Sequence, residues 1–269
     1  TVFSLLKLGG ISMKKGVLVS SIVMLMVLLC SQIALAAKVE GNPFEGLELC
    51  IAYDFDFWPE DDDTIGTKHD KNIFFTEANQ AGISMRFTAT KEGAFKDSGK
   101  KEGLAFKFES IWETGLDRNY VAFTLSQRHD YNLYAFDEFP DAKYFTLYID
   151  TTNYNRNFSF YPIIYEQDYD EADEEAGISC LAIKEGTTFY LKDLDGVITS
   201  AKAGNNYITL PRNFVGRIYL PLEYYVPSWG TSDVNGKFDG IKVLTYKFSF
   251  VDIGTKGEYV IFDEFGFLL

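Results

Sequence analysis

YITLPRNFVGRIYLPLEYYVP, residues 207–227, decides how this chain is read. Two short runs, residues 207–210 and 217–222, are each marked near the end by a Leu-Pro step, Leu210-Pro211 and Leu220-Pro221. Asn213 and Gly216 lie between them, flanking Phe214 and Val215. Proline fixes its own φ, supplies no N–H and pushes its predecessor extended. The stretch therefore predicts a strand up to Leu210, a break at Pro211, a turn, and a second strand from Arg217 to Pro221. Two short strands with a tight corner suit the edge of an antiparallel sandwich. Ile208, Leu210, Ile218, Leu220 and Leu222 read as its core, so the stretch is expected to be scaffold, with function on strands upstream.

Working outward, the same punctuation recurs. Aromatic residues make up 16% of the 269 and fall in short runs bounded by Gly, Asn, Asp and Pro, which is the pattern of many short strands. Strands are expected at residues 44–53, 73–75, 83–88, 104–108, 120–125 and 144–150. More are expected at 158–165, interrupted by Pro162, and at 180–183, 188–191, 242–250 and 259–267. Residues 144–150 alternate most cleanly, with Phe145, Leu147 and Ile149 on one face and Tyr144, Thr146, Tyr148 and Asp150 on the other. Asp195-Gly196 is a hairpin turn, and the acid-rich residues 166–177 read as a solvated loop. Neither a 33- to 45-residue repeat nor helical periodicity is visible in this part of the chain.

The first residues read differently. Residues 1–12 precede Met13 and are expected to be a non-native or upstream extension. Residues 13–36 have the form of a secretory signal: Lys14 and Lys15, an apolar run over residues 17–30, and the small-residue site Ala34-Leu35-Ala36. Ser20, Ser21, Ser31 and Gln32 keep that run short of a membrane span. Leu29 stands where a lipidation signal at Cys30 would want a small residue, so lipid anchoring is not expected. The reading is of a secreted protein whose residues 37–269 form a single β-sandwich domain.

Removing Lys7, Lys14 and Lys15 with the leader takes the formal charge from −14 to −17. Such acidity argues against nucleic-acid or anionic-membrane partners, which need basic surface. Cys50 and Cys180 then remain. An oxidising compartment permits a disulfide, but spacing alone does not predict one, and two buried thiols are the plainer reading.

Four pieces, in order, resemble the jelly-roll, galactose-binding-like carbohydrate-binding modules. They are residues 42–46 (NPFEG), 103–108 (GLAFKF), 208–224, and the closing YVIFDEFGF at 259–267. The resemblance implies an antiparallel jelly-roll β-sandwich that binds a polysaccharide or oligosaccharide without catalysis. It also implies one structural calcium near Glu45 and Asp263. By themselves two carboxylates fall short of the roughly 6–8 oxygens calcium takes, and surface acids explain them equally.

Sugar binding needs flat apolar faces for the C–H side of a pyranose and fixed polar groups for its hydroxyls. The strand alternation offers Tyr144, Tyr148 and Asp150, then Tyr161 and Tyr165, then Tyr190 and Lys192. If these strands line one concave sheet, a tyrosine-rich groove results. Tyrosines covering an exposed sheet face for their β-propensity produce the same pattern. Trp58 and Trp229, in loops, could close over a ligand from the rim or be anchored in the core. Enzyme signatures are missing: His69 and His129 are the only histidines, both expected in charged loops, and no HExxH or GxSxG occurs. A structural or adhesive surface protein is the alternative reading, and a glycan hydrolase or lyase a more distant one.

Overall fold

The computed structural model describes residues 37–53, 73–78, 85–90, 105–110, 121–129, 132–134, 139, 141–169, 176–228, 237–238, 243–250 and 255–269. Within these the chain is all-β. The first strands are β1 (Ala37–Lys38), β2 (Leu49–Tyr53), β3 (Ile73–Ala78), β4 (Met85–Thr90), β5 (Ala105–Ser110), β6 (Val121–His129) and β7 (Asn132–Tyr134). The middle of the chain forms β8 (Tyr144–Asp150), β9 (Phe158–Tyr169), β10 (Ala176–Ile183), β11 (Thr188–Asp193) and β12 (Ile198–Lys202). The remainder forms β13 (Ile208–Leu210), β14 (Val215–Pro221), β15 (Tyr225–Pro227), β16 (Val243–Phe250) and β17 (Tyr259–Leu268). One 3₁₀ turn, Leu222–Tyr224, joins β14 to β15.

Two antiparallel sheets result. The front sheet runs β1-β12-β11-β14-β8-β17-β5-β4, with β2 also on β17; the back sheet runs β15-β10-β9-β16-β6-β3, with β13 on β9 and β7 on β6. Their inner faces share one core, because period-2 alternation sends every second side chain inward. Phe145, Leu147 and Ile149 from β8 and Ile218 and Leu220 from β14 meet Phe158, Phe160, Phe248 and Phe250 of the back sheet. Phe145 and Phe248 lie 6.1 Å apart and Phe108 and Phe250 4.3 Å apart between ring centroids. The packing joins Ala37–Leu269 into one compact unit.

Residues 207–227 alternate between the sheets. β13 pairs with β9 in the back sheet, β14 lies between β11 and β8 in the front sheet, and β15 returns to β10. The corner after Pro211 is held by Thr151. Its N–H donates to Phe214 O at 2.8 Å, and its Oγ1 accepts from Phe214 N at 2.9 Å. All five expected core residues of the stretch are buried.

Some local expectations change. Phe44 is not in a strand: the chain forms a turn there and β2 begins at Leu49. Pro162 does not interrupt β9, which runs through to Tyr169. It falls where one edge of β9 passes from β13, paired up to Phe160, to β10, paired from Ile163. A residue without an N–H is tolerated at such a junction. The described ends of the acidic stretch, residues 166–169 and 176–177, are paired strand rather than loop, with Asp168 opposite Gly177 and Glu166 opposite Ser179. Likewise His129 ends β6, opposite Asn132, rather than lying in a loop. The Asp195-Gly196 turn forms as expected. Gly196 takes φ 79°, and the Asp193 carboxylate accepts the Val197 N–H at 2.8 Å.

Candidate functional site

The outer face of the front sheet carries Tyr144, Thr146, Tyr148 and Asp150 from β8, Arg217 and Tyr219 from β14, and Tyr190 and Lys192 from β11. Pairing sets Thr146, Tyr219, Tyr190 and Ser200 in one row across the sheet. The next row is Asp263, Tyr148, Arg217, Lys192 and Ile198. Two residues of difference along each strand change the chemistry of the face.

At the first end lies an open cleft of about 460 Å³. Tyr144 and Tyr190 form one wall, with ring centroids 6.2 Å apart at 68°. Tyr224, on the 3₁₀ turn and 46% exposed, is part of the lining. Thr188, Lys202, Lys184, Glu185 and Glu223 supply polar groups, and Lys202 Nζ donates to Thr188 Oγ1 at 2.6 Å. Burial raises the pKa of Tyr144, and Tyr190, Glu223 and Tyr224 add to the effect. Tyr224 is raised chiefly by the neighbouring Glu223 charge and by a hydrogen bond to it. Both phenols therefore keep their protons, and their capacity to donate, beyond the ordinary range of tyrosine.

Further along the same strands the face is sealed. Tyr148, Arg217, Asp263 and Glu264 are each at most 3% exposed. Arg217 Nη1 donates to Glu264 O at 2.9 Å and Nη2 pairs with the Glu264 carboxylate. The register of β17 shifts between Asp263 and Gly266, and Glu264 takes φ 41° there. This irregularity aims Glu264 at the guanidinium, while Asp263 Oδ1 accepts the Glu264 N–H at 2.8 Å.

The candidate residues thus divide. Tyr144 and Tyr190 come together in the cleft, whereas Tyr148 is buried among the polar groups. Asp150 is engaged in its own turn, accepting Thr152 N at 2.8 Å and Thr152 Oγ1 at 2.6 Å. Lys192 lines a separate open recess of about 530 Å³ with Lys38 and Asp195. Tyr161 and Tyr165 lie on the outer face of the back sheet, so one face does not hold all the tyrosines. There Tyr161 meets Tyr207 at 5.7 Å, and burial first, then Tyr207, raises its pKa. Trp58 and Trp229 lie outside the described residues.

Glu45 and Asp263 sit at different levels of the sheet. Glu45 is exposed in the turn beside Phe44, which packs on Leu268, while Asp263 stands opposite Tyr148. Among the described residues no group of three or more His, Cys, Asp or Glu could hold a metal ion. Cys50 and Cys180 are both free thiols.

The residues that sequence reasoning missed, Glu223 and Tyr224, lie inside the stretch read as scaffold. Their signal was the Tyr224-Tyr225 doublet just after Pro221. One ring turns into the core, with Tyr225 1% exposed, while Tyr224 at the end of the 3₁₀ turn points outward.

These features define a β-sandwich with an aromatic, polar-rimmed cleft at one end of an outer sheet face. In fold the chain is similar to solved family 11 carbohydrate-binding modules. The module CtCBM11, studied in solution, is 11% identical, covering 77% of this chain and 92% of that one with a TM-score of 0.45. A Clostridium thermocellum family 11 module in complex with a β-1,3-1,4-mixed-linked tetrasaccharide is 10% identical, covering 74% and 96%, with a TM-score of 0.41. The family 11 module of a cellulosomal cellulase of Clostridium thermocellum is 10% identical, covering 83% and 95%, also at 0.41. No family model and no curated protein matches the chain.

Proposed function

We propose that the protein binds a carbohydrate chain, without cleaving it, in the cleft of Tyr144, Tyr190 and Tyr224. The convergence of Tyr144 and Tyr190 beside a ring of hydroxyl, amine and carboxylate groups carries this reading. A pyranose presents C–H groups on its faces and hydroxyls around its edge. Phenol rings take the first, and Thr188, Lys202, Glu185 and Glu223 can hydrogen-bond the second. Two lysines, Lys184 and Lys202, balance the two glutamates in a protein of formal charge −14. That balance supports a neutral sugar over an acidic one. The volume suits a short stretch of chain.

The same proposal takes residues 13–36 as a cleaved secretory signal and residues 37–269 as a jelly-roll module acting outside the cell. The support for this reading is in the sequence: Lys14 and Lys15, the apolar run over residues 17–30 and the small-residue site Ala34-Leu35-Ala36. The test is affinity electrophoresis through gels holding single polysaccharides, backed by a glycan array. Wild type is expected to be retarded by at least one neutral polysaccharide, and Tyr144→Ala and Tyr190→Ala to migrate freely there. Retardation unchanged in both variants would overturn the assignment of the cleft. A blank array and no retardation would instead favour an adhesive protein.

A further inference from the structure

We infer that the protein has a second pyranose subsite, on the ring of Tyr219, which Phe44 occupies in the free state. The inference rests on the carbohydrate reading of the cleft and extends it inward along the sheet. Phe44 stacks on Tyr219 with centroids 3.9 Å apart and an interplanar angle of 24°. It also presents edge-to-face contacts to Tyr144 at 5.4 Å and to Tyr190 at 5.6 Å. Those last two rings are the wall of the cleft. Phe44 therefore lies directly beside the open cleft, against a stacking surface of the same kind, on the same row of the sheet. A sugar chain lying along Tyr144 and Tyr190 would reach Tyr219 next if Phe44 were not there.

The chain around Phe44 is built to leave. It is tied at one end by Val39 N donating to Ile198 O at 3.0 Å, and at the other by the reciprocal Glu48–Leu269 backbone bonds. Between those ties, among the described residues, the hydrogen bonds of residues 42–47 are local. Phe44 N donates to Asn42 Oδ1, Glu45 N to Asn42 O, and Leu47 N to Phe44 O. What holds the segment on the sheet is apolar contact of Phe44, Val39 and Leu47 with Ile198, Tyr219 and Leu268. Gly41 and Gly46, at φ 83° and 79°, stand on either side of the Asn42–Glu45 turn. A non-glycine residue would be strained at either. A stacked sugar replaces one flat apolar contact on Tyr219 with another, so the exchange strands no buried polar group.

Two measurements test this on the full chain. In hydrogen exchange the amides of Asn42 and of residues 44–47 are expected to exchange at least tenfold faster than those of β14. Exchange as slow as β14 would overturn the mobile segment. In titrations with linear neutral gluco-oligosaccharides of two to six units, cellulose-type and mixed-linked, Phe44→Ala is expected to bind the hexasaccharide at least threefold tighter than wild type. Its affinity for the disaccharide is expected to be unchanged. Asn42→Ala loosens the same turn without removing the ring, and is expected to give the same gain in smaller measure if Phe44→Ala folds poorly. Wild-type binding with no length-dependent gain in either variant overturns the subsite and leaves the cleft standing. Binding by neither wild type nor variants overturns the carbohydrate reading, and the subsite with it.

Discussion

Two regions of one surface, a few residues apart on the same strands, are put to opposite uses. On β8, β14 and β17 one end holds Tyr144 and Leu268 in one row and Tyr219, opposite Thr146, in the next, while further along a row holds Tyr148, Arg217 and Asp263. The first opens into a cleft of rings and mixed charge. The second is closed over an Arg217–Glu264 pair that has given up its water. A buried ion pair is poor evidence of net stabilisation, because desolvation offsets attraction, but it makes the site intolerant of losing one partner. Exposed phenols carry no such penalty. The contrast teaches where this sandwich can tolerate sequence change and where it cannot.

The sharpest way to break the contrast is at Arg217. Arg217→Met leaves the Glu264 carboxylate buried without its guanidinium and is expected to cost about 3–5 kcal/mol in urea unfolding. Arg217→Met with Glu264→Leu is expected to recover much of that loss. If the single change costs under about 1 kcal/mol, the centre is not sealed as described. Next comes Gly216, where an added Cβ would meet Lys192 O at 2.1 Å, a backbone atom that cannot swing aside. Gly216→Ala is expected to cost about 1–3 kcal/mol by the same measurement.

A smaller effect belongs to the far rim, beyond the sealed centre. Glu258 accepts from Thr255 N at 2.6 Å, Asn155 N at 3.3 Å and Arg156 Nη2 at 3.3 Å, joining the loop after β8 to the one before β17. Burial alone would raise its pKa, but those donors together lower it. Its stabilisation is thus present above the unfolded value of about 4.3 and is lost as pH falls through the lower folded value. Glu258→Gln is expected to cost about 1–2 kcal/mol at neutral pH. The difference in melting temperature from wild type should vanish in acid, and a gap independent of pH would count against the loop tie.

Smallest for the fold is Tyr224→Ala. At an exposed position it should move stability by no more than about 0.5 kcal/mol while weakening polysaccharide retardation about tenfold, roughly 1.4 kcal/mol. A large stability loss with binding intact would reverse the roles assigned to the two ends.

Much of the scaffold was legible in residue order alone. The alternation at Tyr144–Asp150 placed Phe145, Leu147 and Ile149 inward, and the prolines marked where β13 and β14 end. These signals are local, since a strand buried on one face must alternate and a proline must break the ladder. Phe44 escaped because a turn residue buried by a distant strand leaves no periodic trace. Glu223 and Tyr224 escaped because their stretch looked wholly structural.

What the sequence by itself determined is which side of each strand a residue faces, since the period of two requires no knowledge of neighbours. Only the tertiary structure decided which strands stand side by side. Tyr144 and Tyr190 are 46 positions apart in the chain, with β14 between their strands, and they meet. Tyr148 and Tyr161 are far nearer in sequence, yet β8 and β9 lie in different sheets and set them on opposite surfaces. Strand order follows from closing one core between two sheets, a condition on the whole chain that no single stretch contains.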